Sequence, residues 1–428
     1  MKKSKILIAV LLATVMVLSV VAMTACKQEK AIELLVWAPS NAQTFYKEWA
    51  EKWAADYKDS QGRQFRVKLG IMSEGEAGTN VMNAPEDSAD VFCFADDQVS
   101  KLVTAGALAA IGNPTEGAAK AIADRNVESS VEAATYDGKL YAYPMQADNC
   151  YFLYYNSEVL SEEDIKSWEG IFAAVNEVNG SATGTDRVKV QWDYGTAWYQ
   201  ASLFFAFGGE ANETSTNFDT PEVGIKALKA AYYLSSQQDI TMMSPDDAKA
   251  GLIDGTIVAG VAGSWIYSGD TGVSKNTKIK LAPLPSITVD GETKTMKSFL
   301  GSKLIGVNGQ GKYLEASHAL ANYLTGEEVQ TAKVTALSAG PSNKNSANSD
   351  AAKALPTLEV ISKQQANTVA QINLPEGFWD ALPTCVNAMN ATDATVIGTY
   401  VKDGQFQIAE MQKLLDALKV GFKLKATA

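Results

Sequence analysis

A single histidine, His318, serves the whole chain of 428 residues. A Ser-His-Asp triad, a Cys-His pair or a histidine-based metal site would each have to use it. It falls inside a stretch with helical spacing, where a structural role is the simpler reading. Cysteine is almost as scarce. Beyond Cys26 there are only Cys93, Cys150 and Cys385, scattered through apolar runs. Their number is odd and their spacing suits no zinc site. Each is most simply a small core residue, with a Cys93–Cys150 bridge left open. Basic residues fall short of acidic ones, 37 against 49, for a formal charge of −12. That balance argues against nucleic acid and against a polybasic membrane dock. Walker loop, dinucleotide fingerprint, nucleophile elbow, His-Glu-x-x-His and EF-hand loop are all missing, so neither cofactor nor metal is expected. No repeat at solenoid spacing is present. Only one apolar run is long enough to raise the question of a membrane, and it is N-terminal.

There, Lys2, Lys3 and Lys5 precede an apolar run over 6–18 and then mostly small residues up to Ala25 and Cys26. This is the pattern of a signal peptide, and the run is short for a transmembrane anchor. Met23-Thr24-Ala25-Cys26 resembles a bacterial lipobox, which implies cleavage and lipidation of Cys26. Residues 1–26 are then a lipoprotein signal peptide and 27–31 a polar tether. Removing three lysines leaves −12 − 3 = −15. The expected address is extracytoplasmic, lipid-anchored to the cell membrane through Cys26.

The mature chain alternates strands and helices. Apolar runs over 32–37, 65–71 and 90–95 have strand length. Phe45, Trp49, Trp53 and Tyr57 recur every four residues as one helical stripe, which assigns Trp49 and Trp53 to a core. The alternation implies a parallel, doubly wound sheet. Ligands of such sheets bind beyond the carboxyl ends of the strands. Three such ends offer Ser40, Asn41 and Gln43; Ser73, Glu74 and Glu76; and Asp96, Asp97 and Gln98. These are groups that read hydroxyls. From 136 to 156 the chain makes an Asp137-Gly138 turn, and Pro144 should end its strand for want of an N–H. A polar patch of Gln146, Asp148 and Asn149 follows, then a new strand from Cys150. A segment crossing between two domains can look like this.

A second α/β block runs to about 295. Its helices cover 161–178, with Ser161 and Asp164 resembling a capping box, and 195–207. Thr220-Pro221 and Ser244-Pro245 start two more. After an apolar run at 299–307, helices are expected at 313–324, 327–337, 350–369, 376–389 and 405–419, with 340–349 a polar linker. Trp198-Tyr199, Trp265 and Phe378-Trp379 each sit just after a strand end or at a helix start. Flat rings placed there suit the apolar faces of pyranose rings. Two carboxylates are all that a glycosidase needs, and Asp97, Asp148 and Asp193 are the candidates, although spacing shows no facing pair.

Tyr-Asp-Gly-Lys-Leu-Tyr-Ala-Tyr-Pro at 136–144, followed by Tyr154-Tyr155-Asn156, resembles the first crossover of bacterial extracellular solute-binding proteins, in particular the maltose-binding group. Asp90 to Asp97 resembles the family segment ending in a sugar-stacking aromatic, which implies that Phe94 stacks and Asp97 hydrogen-bonds. Gln98 stands where that group has Arg, and Asn41 near an expected Asp. Asp148 or Asn149 matches a family Glu. Trp198 and Tyr199 match an aromatic pair, Gly263-Ser264-Trp265 a Gly-Pro-Trp element, and Gly377-Phe378-Trp379 the last stacking tryptophan. The resemblance implies two doubly wound α/β lobes joined by three crossovers, with C-terminal helices, in the class II-like periplasmic-binding-protein fold. Its lobes would be 32–146 with 296–339, and 147–295 with 340–428. The implied function is that of a monomeric, non-enzymatic substrate-binding lipoprotein of an ABC importer. It would take an oligosaccharide, maltose or maltodextrin before another glucan, and would meet the permease subunits at the membrane.

Overall fold

The computed structural model describes residues 31–267 and 272–426, so Cys26 and the leader lie outside them. Strands β1 (Ile32–Ala38), β2 (Phe65–Ile71) and β3 (Val91–Ala95) form a parallel trio with β1 in the middle. Helix α1 (Gln43–Asp56) buries Phe45, Tyr46, Trp49 and Trp53 along one face, the stripe that four-residue spacing predicts. Helix α2 (Glu128–Ala133) leads into a two-residue hairpin at Asp137-Gly138, where both φ angles are positive.

Pro144 does not end its strand. β4 (Ala142–Asn156) runs unbroken for 15 residues. The missing N–H is absorbed by irregular pairing with the later strand β9 (Ser298–Val307), whose register shifts on both sides of Lys303, opposite Gln146 and Pro144. Between them come helix α3 (Trp168–Asn179), β5 (Lys189–Gln191), helix α4 (Ala197–Ala206), β6 (Ile240–Thr241), β7 (Ile257–Gly263) and β8 (Ile279–Ala282). After β9 come α5 (Glu327–Leu337), β10 (Thr368–Ala370), α6 (Phe378–Asn387) and α7 (Ile408–Gly421).

One sheet of ten strands results among the described residues, with backbone order β2-β1-β3-β9-β4-β7-β5-β6, β8 pairing with β4 and β10 with β9. It is mixed rather than parallel, because β9 lies antiparallel to both β3 and β4. β4 and β9 serve more than one core. In β4, Ala142, Tyr143 and Met145 pack with β1–β3, whereas Tyr151, Leu153 and Tyr155 pack with α3, α4, α6 and α7. Cys150, Phe152 and Tyr154 face a third cluster on the opposite side of the sheet. In β9 the change falls between Phe299 and Leu304.

Other sequence expectations need correction. The helix expected at 350–369 is two short helices, Asp350–Lys353 and Pro356–Gln364, followed by β10. Pro356 pushes Leu355 into an extended conformation and breaks the run. The last helix starts at Ile408 rather than 405, because Asp403-Gly404 turns a small hairpin first. Ser161 and Asp164 do bond each other, but the cap of α3 is Ser167, whose hydroxyl accepts the Gly170 N–H. Cys93, Cys150 and Cys385 are free and buried, so the Cys93–Cys150 bridge is not made.

Helices α6 and α7 meet at two glycines. A Cβ on Gly377 would sit 1.8 Å from the Gly421 carbonyl oxygen, which is backbone and cannot rotate away. Gly377→Ala should therefore destabilise the protein by roughly 1–3 kcal/mol. Scanning calorimetry should show the fall, and an unchanged melting temperature would mean that the two helix ends separate freely.

Candidate functional site

Where β4 and β9 change core, their side chains turn polar: Gln146, Asp148 and Asn149 on one, Ser302 and Lys303 on the other. Around these lies the main group of expected site residues. Asp97 sits in the turn Asp96–Gln98 directly after β3. Its Oδ1 accepts an N–H from Gln371 Nε2 at 3.3 Å. Gln371 Oε1 in turn accepts from Asn149 Nδ2 and from the Trp198 indole N–H, each at 3.0 Å. Trp198, in the first turn of α4, lies 5.4 Å from the ring of Trp265 at a 38° tilt. Trp265 follows β7 in a tight turn, and Lys303 Nζ stands 5.5 Å from its ring centroid. Lys303 also pairs with Glu74 at 3.1 Å, their side chains only 13% and 14% exposed. Trp379 opens α6, 6.0 Å from Phe299, and its side chain favours the ionised form of Asp97.

Five expected residues do not join this group. Phe94 is fully buried in the first core, against Phe92 and the space above Gly306, and shows no face to a ligand. Gln98 spends its amide on the backbone, accepting from the Gly78 N–H at 3.0 Å and donating to the Glu74 carbonyl at 2.7 Å. Asp148 is buried with both oxygens engaged, by Gln146 Nε2 at 3.0 Å and the Gly340 N–H at 2.7 Å. Tyr199 packs beneath Trp198 against Tyr151 and Trp192. Asn41 stays exposed in the turn after β1, while Gln43 ties the ends of β1 and β2 through the Ala38 and Gly70 carbonyls. Asp193 is likewise occupied, accepting from the Gly195 N–H and the Thr196 hydroxyl. Of the three glycosidase candidates, two thus serve the fold. His318 bonds Tyr143 at 2.9 Å, and burial lowers its pKa.

Gln371, Lys303 and the pairing of Glu74 are the parts that sequence reasoning missed. A lone lysine inside the apolar run 299–307 was the available signal for Lys303. Gln371 gave none, since the reading carried a helix almost up to it.

Burial shapes the electrostatics of the site. Burial pushes the Asp97 carboxyl up to about 7, against the nearby Lys101. Burial raises Asp96 well above the usual carboxylate range, although the Ser302 N–H at 2.6 Å favours its charge. Burial opposes the charge on Lys303, but Glu74 and Asp148 outweigh it and the net shift is upward. Beside the crossover, buried Lys333 of α5 donates to the Tyr46 hydroxyl at 2.8 Å and to Gln146 Oε1. Gln146 passes the connection to Asp148, and so to Gly340.

Two cores on one shared sheet, with rings and carboxylates gathered where the chain passes between them, define a two-lobed α/β binding protein. The chain belongs to the bacterial extracellular solute-binding protein family, whose sequence model matches residues 52–360. No helix among the described residues is long and apolar enough to cross a membrane. Similar solved structures include a protein with acarbose, 26% identical over 92% of this chain and 98% of its own, with a TM-score of 0.76. A maltodextrin-binding protein of L. casei BL23, without ligand, is 22% identical over 92% and 100%, with a TM-score of 0.72. The maltotriose-binding protein of Thermus thermophilus, bound with maltotriose, is 20% identical over 91% and 99%, with a TM-score of 0.73.

The Lys333 network makes a stability prediction. Burial lowers the Lys333 ammonium from 10.5 to about 8. Between those values the unfolded chain holds a proton that the folded chain has released. The stabilisation from this group is therefore complete above 10.5 and lost as pH falls through 8. Urea unfolding of wild type and Lys333→Met should show a difference that grows in favour of wild type across this window. A flat difference would mean that Lys333 titrates normally.

Proposed function

We propose that this chain is the substrate-binding component of an ABC importer and captures an oligosaccharide, maltose or a maltodextrin first, between its two lobes. One observation carries the reading: Trp198, Trp265 and Trp379 gather with Asp97 and Gln371 where the two cores meet. Indole faces cover the apolar faces of sugar rings, and the carboxylate and amide take the hydroxyls at their edges. The maltotriose and acarbose held by similar proteins support the same ligand class.

On this reading the lobes are 32–146 with 296–339, and 147–295 with 340–428. The change of core in β4, between Met145 and Tyr151, supports the boundary at 146/147, whereas in β9 the change comes after Phe299, a few residues past 296. Sugar held by one lobe gains contacts from the other only when the lobes approach. It shifts the open–closed balance by that added affinity. The permease then meets the closed shape. The protein acts as a monomer tethered by lipidated Cys26 and performs no catalysis. Prior commitment of Asp148 and Asp193 to backbone groups supports that last point.

Calorimetry with maltose, maltotriose and maltotetraose tests the reading. Wild type should bind at least one of them with single-site stoichiometry. Trp265→Ala should weaken binding by roughly tenfold or more while the melting temperature holds, as losing a buried aromatic anchor does. Unchanged affinity removes Trp265 from the site. Release of reducing sugar from maltodextrin would make the protein an enzyme instead.

A further inference from the structure

We propose that Gln371 is a positioning residue that sets how Asp97 and Trp198 are presented to the ligand, an inference that rests on the carbohydrate-binding reading. Gln371 is 4% exposed and follows β10 on the chain. Three different segments engage its amide. Oε1 accepts two N–H groups, from Asn149 of β4 and Trp198 of α4, and Nε2 donates to Asp97 after β3. Reversing the amide would set its carbonyl against a carboxylate and its NH2 against two donors. One orientation alone satisfies all three partners. The backbone leaves room for it at Gly301, where a Cβ would lie 3.0 Å from Gln371 Oε1.

Two consequences follow for recognition. Asp97 Oδ1 accepts from Gln371 and the Trp379 side chain also favours its charge, so the orientation of the carboxylate, and the lone pairs it turns to a ligand hydroxyl, are set by these two partners. The Trp198 N–H is committed to Gln371, which fixes the indole plane and its 38° tilt to Trp265. A single amide between the two cores thus aligns a carboxylate from the first and a ring from the second.

The groups facing Asp97 are several. Asp96 is adjacent and Lys101 lies on the following helix, while the Gln371 and Trp379 side chains favour its charge. Glu128, Glu132 and Asp137 share with it a groove of about 680 Å³. With that many acids around it, the N–H from Gln371 matters to the charge state of Asp97. Gln371→Glu keeps an acceptor for Trp198 and Asn149 but turns a second carboxylate toward Asp97.

The test uses the mature protein labelled with ¹³C at aspartate, and Gln371→Met as a second variant that keeps the volume and loses the N–H. Carboxyl NMR titration should show the Asp97 midpoint raised by about one pH unit or more in Gln371→Glu, and raised less in Gln371→Met. Calorimetry with maltotriose should show wild type binding more tightly at pH 8.5 than at pH 6. Gln371→Glu should lose roughly tenfold at pH 7 and recover part of it at pH 8.5, a pH response that simple loosening of the site would not produce. An Asp97 midpoint unmoved in both variants overturns the proposal, as does wild-type affinity in both. If wild type itself binds no maltodextrin, the carbohydrate reading falls, and the NMR midpoints decide the Gln371–Asp97 coupling without it.

Discussion

Two neighbouring strands, β4 and β9, leave one hydrophobic core and enter another, and the polypeptide cannot remain apolar while doing so. At the change it has no single core to face, yet it is still enclosed by both. Polar groups placed there must find partners inside the protein, because burying an amide or carboxylate without one costs several kcal/mol. The partners come from elements that arrive much later in the sequence. Gly340 N–H satisfies Asp148, Lys333 satisfies Gln146, and Gln371 satisfies Asn149. The crossing is therefore held by hydrogen bonds of defined direction and not by shape alone. Such bonds break and re-form over small displacements more readily than a packed core repacks, which suits the lobe movement proposed for binding.

The same constraint places the proposed recognition groups. A carboxylate at the end of β3 and an indole at the start of α4 belong to separate cores and have no local reason to meet. They meet because Gln371 lies between them with one face for each. Lys303 shows the pattern again: its charge comes from the crossing strand, its counter-charge Glu74 from the loop after β2, and its aromatic neighbour Trp265 from the turn after β7. A charge so enclosed would be costly alone, and removing either partner of such a pair is more damaging than never having built it.

Sequence patterns disclosed the parts that are local. Four-residue spacing found α1, and turn chemistry found the Asp137-Gly138 hairpin. Rings just past a strand end or at a helix start pointed to Trp198, Trp265 and Trp379, which the fold gathers near Asp97, but equally to Tyr199 and Phe378, which it buries. Family likeness was no more discriminating, since it named Phe94 and Tyr199, which pack into cores, beside the three tryptophans. What decided between them was the burial of β3 on both faces and the neighbours of α4, and both are tertiary facts. Asp148 and Gln98 misled for a related reason. A polar residue at a strand end serves a ligand or the backbone, and only its partners tell which. Pro144 misled because a proline is barred from regular pairing, whereas β9 pairs irregularly just there.

That irregularity lies beside the candidate site. Around Lys303 the register of β9 against β4 shifts twice, on either side of a single residue. In a regular strand Ser302 and Lys303 point to opposite faces, and here they do: Ser302 bonds Ser130 of α2 at 2.8 Å, while Lys303 reaches Glu74 and Trp265. A bulge at this point strengthens the local twist and re-aims the strand ends that carry the two cores. At both shifts the extra residue lies on β4, so the bend falls on the strand between its Tyr143–Met145 end in the first core and its Tyr151–Tyr155 end in the second.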